Sequence, residues 1–337
     1  MRVSIMSKKY YIIPIFVPHE GCPHNCVFCN QHKITGIDDT VTAETVERIA
    51  DEYLKTIDRK NATVEISFFG GTFTAIKEEK QRELLEVAKR YKDSGLIDKI
   101  RMSTRPDYIN EYILTYLKEY DVDIIELGVQ SLVDEVLVSA GRGHSVSDVQ
   151  KASELIKKFN IILGHQIMPG LPNDNFEFDI LTTNKSIEMR PDIIRIYPAL
   201  VIKETPMETM YNRGEYVPYT IEQAVEISKI MYKMYEANDI QVIRIGLQPT
   251  ETINDKEDVV AGPFHPAFRE LVQGSIYCEE IRNVLKDSKM GTVEINPKEI
   301  SKLYANKKQY FNKLKDEGYK IKVITNEDIK RGEIKVF

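Results

Sequence analysis

Three of the four cysteines fall within eight positions, at Cys22, Cys26 and Cys29. This C-x3-C-x2-C spacing lets a tight loop direct three thiolates at one 4Fe-4S cluster. Three ligands leave one iron of the cluster without a protein ligand, and that open iron is where a small molecule could bind and react. The sequence therefore predicts a 4Fe-4S centre held by these three cysteines.

Two other interpretations of the cysteines are open at this point. One is a zinc site completed by His24 or His32, although zinc sites usually combine two short ligand repeats and only one is present. The other is a structural cluster completed by Cys278, which instead falls in a helical pattern typical of a packed thiol.

Composition bounds the kind of protein that carries this motif. The chain has 337 residues, 42% hydrophobic and 29% charged, with a net charge of -6. These values exclude a disordered, fibrous or membrane protein, and one whose whole surface holds nucleic acid. The first apolar run, residues 10–18, is too short to span a bilayer and is followed by no cleavage site. We therefore expect a cytoplasmic protein without membrane contact, whose thiols stay reduced.

The elements that must position the cysteines alternate along the chain. Mostly apolar, β-branched runs predict strands at 11–18, 63–70, 99–104, 123–131, 161–169, 192–197 and 241–247. Amphipathic patterns predict helices at 42–58, 77–94, 109–120, 145–159, 175–189 and 220–238. This alternation predicts an α/β fold, a partial or full parallel β/α (TIM-like) barrel whose chemistry lies at the carboxyl ends of the strands.

The pattern changes towards the C-terminus, and we predict three regions. Residues 1–250 form the barrel core, and residues 251–290 form a lid or linker and a helix. Residues 291–337 form a small basic β-α-β-β extension, so that an α+β unit follows the barrel. Residues 248–263 read as a loop and residues 264–285 as a helix.

Unusual residue groups follow six predicted strands, and they would meet on one rim of the barrel. The cysteines follow the first strand. Gly70, Gly71 and Thr72 follow strand two, and Ser103 and Arg105 follow strand three. Gln130 follows strand four, Gln166 and Met168 follow strand five, and Tyr197 follows strand six. Arg142 follows in a Gly-Arg-Gly-His run and could pair bidentately with a carboxylate.

The cysteine motif, with the aromatic Phe28 before the third cysteine, resembles that of the radical S-adenosylmethionine superfamily, over about residues 10–250. The resemblance implies a 4Fe-4S cluster on Cys22, Cys26 and Cys29 that binds S-adenosylmethionine. One electron then cleaves the cofactor to a 5'-deoxyadenosyl radical that abstracts hydrogen from substrate. The electron would come from an external one-electron reductant of the flavodoxin or ferredoxin type.

The resemblance also implies roles for the rim. Gly70, Gly71 and Thr72 resemble the element whose backbone holds the methionine amino group, with Thr72 in place of the usual glutamate, as in the coproporphyrinogen-oxidase-like branch. Positions that contact the methionine carboxylate and the ribose in that branch are matched by Ser103, Gln130, Arg142 and Gln166. Met168 is expected near adenine, and Phe28, Arg105 and Tyr197 are further candidate cofactor contacts.

Within the superfamily, residues 103–108, 126–131, 167–172 and 196–202 resemble the radical domain of the elongator catalytic subunit, which modifies tRNA wobble uridine. Elongator subunits also carry an acetyltransferase domain, for which too few residues follow Pro263, so formation of carboxymethyl-uridine is not expected of this chain alone. One alternative is an enzyme like the oxygen-independent coproporphyrinogen oxidases, although these carry a further cysteine where Asn30-Gln31 stands here. A non-catalytic iron-sulfur electron-transfer or sensor protein is another.

Charge is unevenly distributed, which bears on the substrate. Residues 298–337 contain eleven Lys or Arg against six Asp or Glu, a balance of +5, so the rest carries -11. This basic extension could hold an RNA backbone, tRNA included, and its aromatics could stack a base. Alternatively, these aromatics form the buried face of a helix. His265 and Arg269 could belong to a lid over the barrel mouth, or else cap the following helix.

Overall fold

The computed structural model describes residues 9–17, 22, 24–30, 41–247 and 258–337. Its strands are β1 Lys9–Val17, β2 Ala62–Gly70, β3 Lys99–Thr104, β4 Ile124–Gln130, β5 Ile162–Ile167, β6 Ile193–Ile196, β7 Val201–Ile202, β8 Gln241–Ile245, β9 Val259–Ala261, β10 Met290–Ile295, β11 Lys320–Thr325 and β12 Ile334–Val336. Its helices are α1 Ala43–Leu54, α2 Glu78–Asp93, α3 Glu111–Glu119, α4 Asp134–Ser139, α5 Val146–Lys158, α6 Phe176–Met189, α7 Pro206–Asn212, α8 Ile221–Glu236, α9 Phe268–Val284, α10 Ile300–Leu303 and α11 Ala305–Asp316.

Seven parallel strands form one curled sheet in the order β1-β2-β3-β4-β5-β6-β8, which is a half-barrel. The predicted partial β/α barrel is therefore confirmed, and each of the seven predicted strands is present. Because the strands are parallel and adjacent in chain order, their carboxyl ends lie along one edge. Val17 at the end of β1 pairs with Gly70 at the end of β2.

The convex face of the sheet is apolar and packs against the helices. Ile66 and Phe68 of β2, Leu85 of α2 and Leu117 of α3 are almost fully buried in this layer. Burying a side chain of this size contributes about 1.5–3 kcal/mol. The alternate positions of the same strands point to the concave side, so strand alternation leaves that side free to carry polar groups.

Three features were not predicted from the sequence: the short helices α4 and α7, and a two-stranded antiparallel sheet of β7 and β9. The predicted loop over 248–263 is wrong for Val259–Ala261, which forms β9 and pairs with β7. The rest of that loop up to residue 257 lies outside the described residues. Elements this short show no periodicity, which is why a pattern search misses them.

The C-terminal part has the predicted β-α-β-β order. Strand β10 pairs in parallel with β11 and antiparallel with β12. The helix between them is divided into α10 and α11, and α11 is kinked at residues 306–308. This unit shares a core with α9, in which Tyr277, Phe311 and Leu314 are buried. Among the described residues, no helix is both long and apolar enough to cross a membrane.

Candidate active site

The cysteine loop is held by the two short helices that the sequence did not reveal. The Val27 N–H donates to the carbonyl of Ala140 at the end of α4 (3.1 Å), and the Met207 N–H in α7 donates to the Val27 carbonyl (2.8 Å). Cys26 and Phe28 are 6% and 9% exposed and pack in a small apolar cluster with side chains of both helices. The loop is therefore fixed by contacts from outside its own sequence.

The glycine element after β2 meets the end of β1 and the cysteine loop. Gly70 has φ +107°, and a Cβ built there would lie 2.8 Å from the carbonyl oxygen of Val17. The Gly71 N–H donates to that same oxygen (2.8 Å). Thr72 is 1% exposed, and its Oγ1 lies 3.4 Å from Cys22 Sγ. Only glycine allows this approach of two backbones at position 70.

Arg142 joins the cysteine loop to β4. Its Nη1 donates to Cys26 Sγ (3.3 Å), and its Nη2 donates to the Gly128 carbonyl (2.6 Å). The turn that carries it packs on the cysteine loop, because a Cβ on Gly143 would lie 2.5 Å from Nε2 of His24. Two of the three guanidinium nitrogens of Arg142 are thus used by the protein itself.

The remaining predicted rim residues lie at the ends of β3 to β6. Gln130 has φ +66° and is 4% exposed, and its Oε1 accepts from Gln166 Nε2 (3.3 Å). The Met168 N–H donates to the Gln130 carbonyl (2.8 Å). Ser103 is half-buried on β3. The side chain of Arg105 forms a bidentate pair with Asp107, at 3.0 and 2.9 Å.

A buried charge network crosses the concave face of the sheet, and sequence reasoning missed it. Arg101 lies between Glu65 (3.0 Å) and Glu126 (3.2 Å), and Glu126 also pairs with Arg195 (2.8 Å). Arg195 Nη1 in turn donates to the Tyr197 hydroxyl (3.0 Å). The two carboxylates and two guanidinium groups balance, which buried charges require. Charged residues at alternate positions of otherwise apolar strands were the available signal.

Two further groups near the rim have strongly shifted pKa values. Burial, together with the charges of Arg142 and Arg105, lowers the pKa of His144 to about 3. Its Nε2 lies 3.3 Å from the Val129 carbonyl, and its buried Nδ1 has no hydrogen-bond partner among the described residues. The ring is therefore a neutral imidazole with one polar atom unused.

The second group is a pair of buried carboxyls beside the Met168-Pro169-Gly170 turn. Asp174 accepts from the Gly170 N–H (3.1 Å), and Asp179 accepts from the Tyr219 hydroxyl (2.9 Å). Burial raises the pKa of both carboxyls, and the neighbouring Asp174 raises that of Asp179 further, to about 9. The buried pair therefore keeps a proton to a higher pH than free carboxyls do.

Several residues considered in the sequence lie elsewhere. Cys278 is buried in α9, where burial raises its thiol pKa to about 12, and this disfavours the thiolate that a ligand must supply. His265 Nδ1 accepts from the Ala267 N–H (3.1 Å), so it caps the turn before α9. Arg269 donates to the Ile243 and Val242 carbonyls (2.7 and 3.3 Å) of the edge strand β8. His32 lies outside the described residues.

The donor set suits a 4Fe-4S cluster. In the described parts of the chain, no three Cys, His, Asp or Glu side chains surround a point where one metal ion could sit. Three thiolates of a cubane bind three different irons, so they need not surround one ion. The buried Arg142 also fits, because its Nε has no hydrogen-bond partner in the described residues and its charge faces a thiol.

Comparison with known proteins identifies the family. Residues 16–181 match the model of the radical SAM superfamily, and residues 191–277 match that of the radical SAM C-terminal domain. The chain belongs to the radical S-adenosylmethionine superfamily. It is an enzyme of that family, and membership implies a 4Fe-4S cluster and S-adenosylmethionine as cofactors. The predicted resemblance is thereby confirmed.

Its relatives include proteins that modify tRNA. A tRNA uridine(34) acetyltransferase of Methanocaldococcus jannaschii is 29% identical, with 68% of this chain and 50% of that protein covered. Human elongator complex protein 3 is 28% identical, with 62% of this chain and 46% of that protein covered. The chain thus spans about half the length of these curated relatives. The archaeal Elp3 structure of Methanocaldococcus infernus shares the fold, with a TM-score of 0.64 and 24% sequence identity. The match covers 82% of this chain and 64% of that chain.

Proposed function

We propose that this chain cleaves S-adenosylmethionine reductively and uses the product to abstract hydrogen from a substrate. Cys22, Cys26 and Cys29 would hold the cluster. When bound, the cluster and cofactor supply a 5'-deoxyadenosyl radical after one-electron reduction by an external flavodoxin- or ferredoxin-type protein. The observation that carries the proposal is the meeting of the cysteine loop, the Gly70-Gly71-Thr72 element and Arg142 at one edge of the half-barrel.

The chain's own residues bind, orient and shield. The absence of side chains at Gly70 and Gly71 lets the backbone approach the methionine amino group. The Nε of Arg142, Ser103 and the linked pair Gln130 and Gln166 supply polar groups for the carboxylate and ribose. Phe28 and Met168 supply apolar contact, and with Arg105 and Tyr197 they complete the proposed cofactor site. The packed loop around Cys26 keeps water from the site, as radical chemistry requires.

The test is anaerobic reconstitution with iron and sulfide, followed by dithionite and S-adenosylmethionine. We expect 5'-deoxyadenosine from the wild type and none from Cys26→Ala. The matched control is Cys278→Ala, which also removes one buried thiol but lies in α9 and should retain the product. No product from the wild type, or equal product from Cys26→Ala, would refute the proposed chemistry.

We further propose that the substrate is a tRNA, bound in part by the basic C-terminal extension. The relatives named above support the substrate class. Support from the extension comes from an open depression of about 720 Å³ whose lining includes Lys315, Lys320 and Lys322. Phe311 and Tyr319 are 3% and 7% exposed and pack in the C-terminal core, so these two rings are not available to stack on bases. Phe311 lies on the buried face of α11, as the alternative interpretation of these aromatics expects, and we propose that phosphate contacts carry the binding.

Filter binding of bulk tRNA at several salt concentrations tests this second step. Lys320→Gln and Lys322→Gln together should weaken binding and reduce the slope of log K against log salt by about 0.7–0.9 for each phosphate that a lysine no longer neutralises. Lys55→Gln, at the exposed end of α1, is the matched control and should leave the slope unchanged. A salt-independent affinity of the wild type would refute tRNA binding without affecting the proposed cofactor chemistry.

A further inference from the structure

Arg142 is a buried cation that contacts no carboxylate among the described residues. The residue is 6% exposed, and no described Asp or Glu forms an ion pair with it. Its polar contacts are the Cys26 sulfur and the Gly128 carbonyl, and its Nε has no hydrogen-bond partner among the described residues. An isolated buried charge is strongly unfavourable, so the site calls for negative charge next to this guanidinium.

Three glycines hold the guanidinium at the sulfur. A Cβ on Gly128 would lie 3.0 Å from Arg142 Nη2, so only glycine leaves room for the side chain to reach β4. Gly141 and Gly143 flank Arg142 with φ +63° and +71°, which is backbone that favours glycine. The turn thus presents the guanidinium in one orientation, with Nη1 at Cys26 and Nη2 at the strand.

We propose that Arg142 raises the reduction potential of the cluster through its hydrogen bond to Cys26 and its fixed positive charge. This inference rests on the proposed function, since it assumes a cluster on the three cysteines. Reduction transfers one electron from the external reductant to the cluster, with no bond made or broken in the chain, and adds one negative charge. A fixed cation at a ligating sulfur stabilises the more negative state, and hydrogen bonds to cluster sulfurs act in the same direction.

Substitutions of Arg142 can separate an effect of its charge and hydrogen bond on the reduction potential from simple packing. If Arg142 only filled space or braced the loop, a neutral side chain of similar length would restore the loop and leave the potential unchanged. If it acts through charge and hydrogen bonding, removing both must make reduction harder even when the cluster is fully loaded. Lysine keeps the charge but has no planar fork to hold Cys26 and Gly128 together.

The experiment is a redox titration of the reconstituted full-length protein, followed by electron paramagnetic resonance and normalised to bound iron and sulfide. In Arg142→Met we expect at least a tenfold less favourable reduction equilibrium, which is about a 59 mV lower midpoint for a one-electron couple. Arg142→Lys should shift less, in the same direction. The matched control is Arg82→Met, which removes a positive charge paired with Glu78 on the outer helix α2 and should not shift the midpoint.

The outcomes of the titration distinguish an effect of Arg142 on the reduction potential from a role in packing or in cluster assembly. A fully loaded Arg142→Met with a wild-type midpoint overturns the inference. If that variant binds no cluster, Arg142→Gln, which keeps an amide donor without the charge, is titrated in its place. If both neutral variants lose the cluster while Arg142→Lys retains it, Arg142 acts in cluster assembly and the inference is also overturned. Failure of the wild type to bind a 4Fe-4S cluster would instead refute the proposed function.

Discussion

The substitution Gly70→Ala tests whether the glycine element and the end of β1 must approach as closely as the structure shows. An added Cβ would lie 2.8, 3.0 and 3.2 Å from the O, C and N atoms of Val17, where ordinary contacts begin at 3.4 Å. These are backbone atoms of a paired strand, so no side chain can rotate away. The two strand ends would have to separate by roughly 0.6 Å, and the hydrogen bond from Gly71 to the Val17 carbonyl would weaken.

The magnitude follows from two contributions. An alanine at φ +107° costs about 1–3 kcal/mol in backbone strain, and forcing a methyl group into a filled space costs about 1–3 kcal/mol more. Gly332→Ala is the matched control, since Gly332 has φ +89° and nothing within 4 Å of its Cβ position. The control therefore carries the strain without the clash.

Calorimetric unfolding of both variants gives the comparison. With an unfolding entropy of about 2.1 cal/mol/K per residue, 1 kcal/mol shifts the Tm of this chain by about 1.4 °C. Gly70→Ala should therefore melt about 1.5–4 °C below Gly332→Ala, and it alone should bind less iron on reconstitution. Equal melting temperatures with equal iron content would refute the reasoning, because they would show that the close approach of Gly70 to Val17 has no energetic consequence.

Three further results are expected. Glu126→Gln leaves two buried guanidinium groups with one carboxylate, so urea unfolding should show a loss of about 3–5 kcal/mol; a loss below about 1 kcal/mol would contradict the network. Asp179→Asn should flatten the fall in stability between pH 6 and 8. The raised pKa of Asp179 means that the native state keeps a proton that the unfolded state has released, which lowers wild-type stability by about 1.4 kcal/mol per pH unit as pH rises. An unchanged slope would contradict the assignment of this proton to Asp179. Gly143→Ala would press on the imidazole of His24 and should reduce iron binding more than Gly214→Ala, which has nearly the same φ (+72° against +71°) and open space; equal iron binding would show that the exposed His24 ring moves aside without disturbing the cysteine loop.

The sequence predicted the parallel half-barrel because its strands are long apolar runs separated by helices of clear period. The same reasoning failed for α4 and α7, which have six and seven residues and are too short to show a period. Two local signals were present: Gly141 after the end of α4, and Pro206 following the capping Thr205 at the start of α7.

Side-chain partners were less predictable than elements. Arg142 was expected to pair with a carboxylate, and Arg105 to contact the cofactor, because their positions on the rim were visible in the sequence. The sequence does not show their hydrogen bonds. Two nitrogens of Arg142 donate to Cys26 and Gly128, and the side chain of Arg105 donates to Asp107. For the inward-facing Glu126, strand alternation predicts the face on which it lies but not the charges that meet it across the sheet.

The cysteine loop shows why the motif alone could not define the site. Within the loop the Cys29 N–H donates to the Cys26 carbonyl, while both backbone groups of Val27 bond to residues outside the loop, so its conformation depends in part on docking. Its partners at Ala140 and Met207 follow β4 and β6, which lie three and five strands away from β1, the strand that precedes the loop. The three thiols therefore reach their final positions only when both halves of the half-barrel are in place. Cluster binding should consequently stabilise the whole sheet rather than the N-terminal loop alone, because a ligand that binds only the folded state adds its binding free energy to the folding of every element that forms its site.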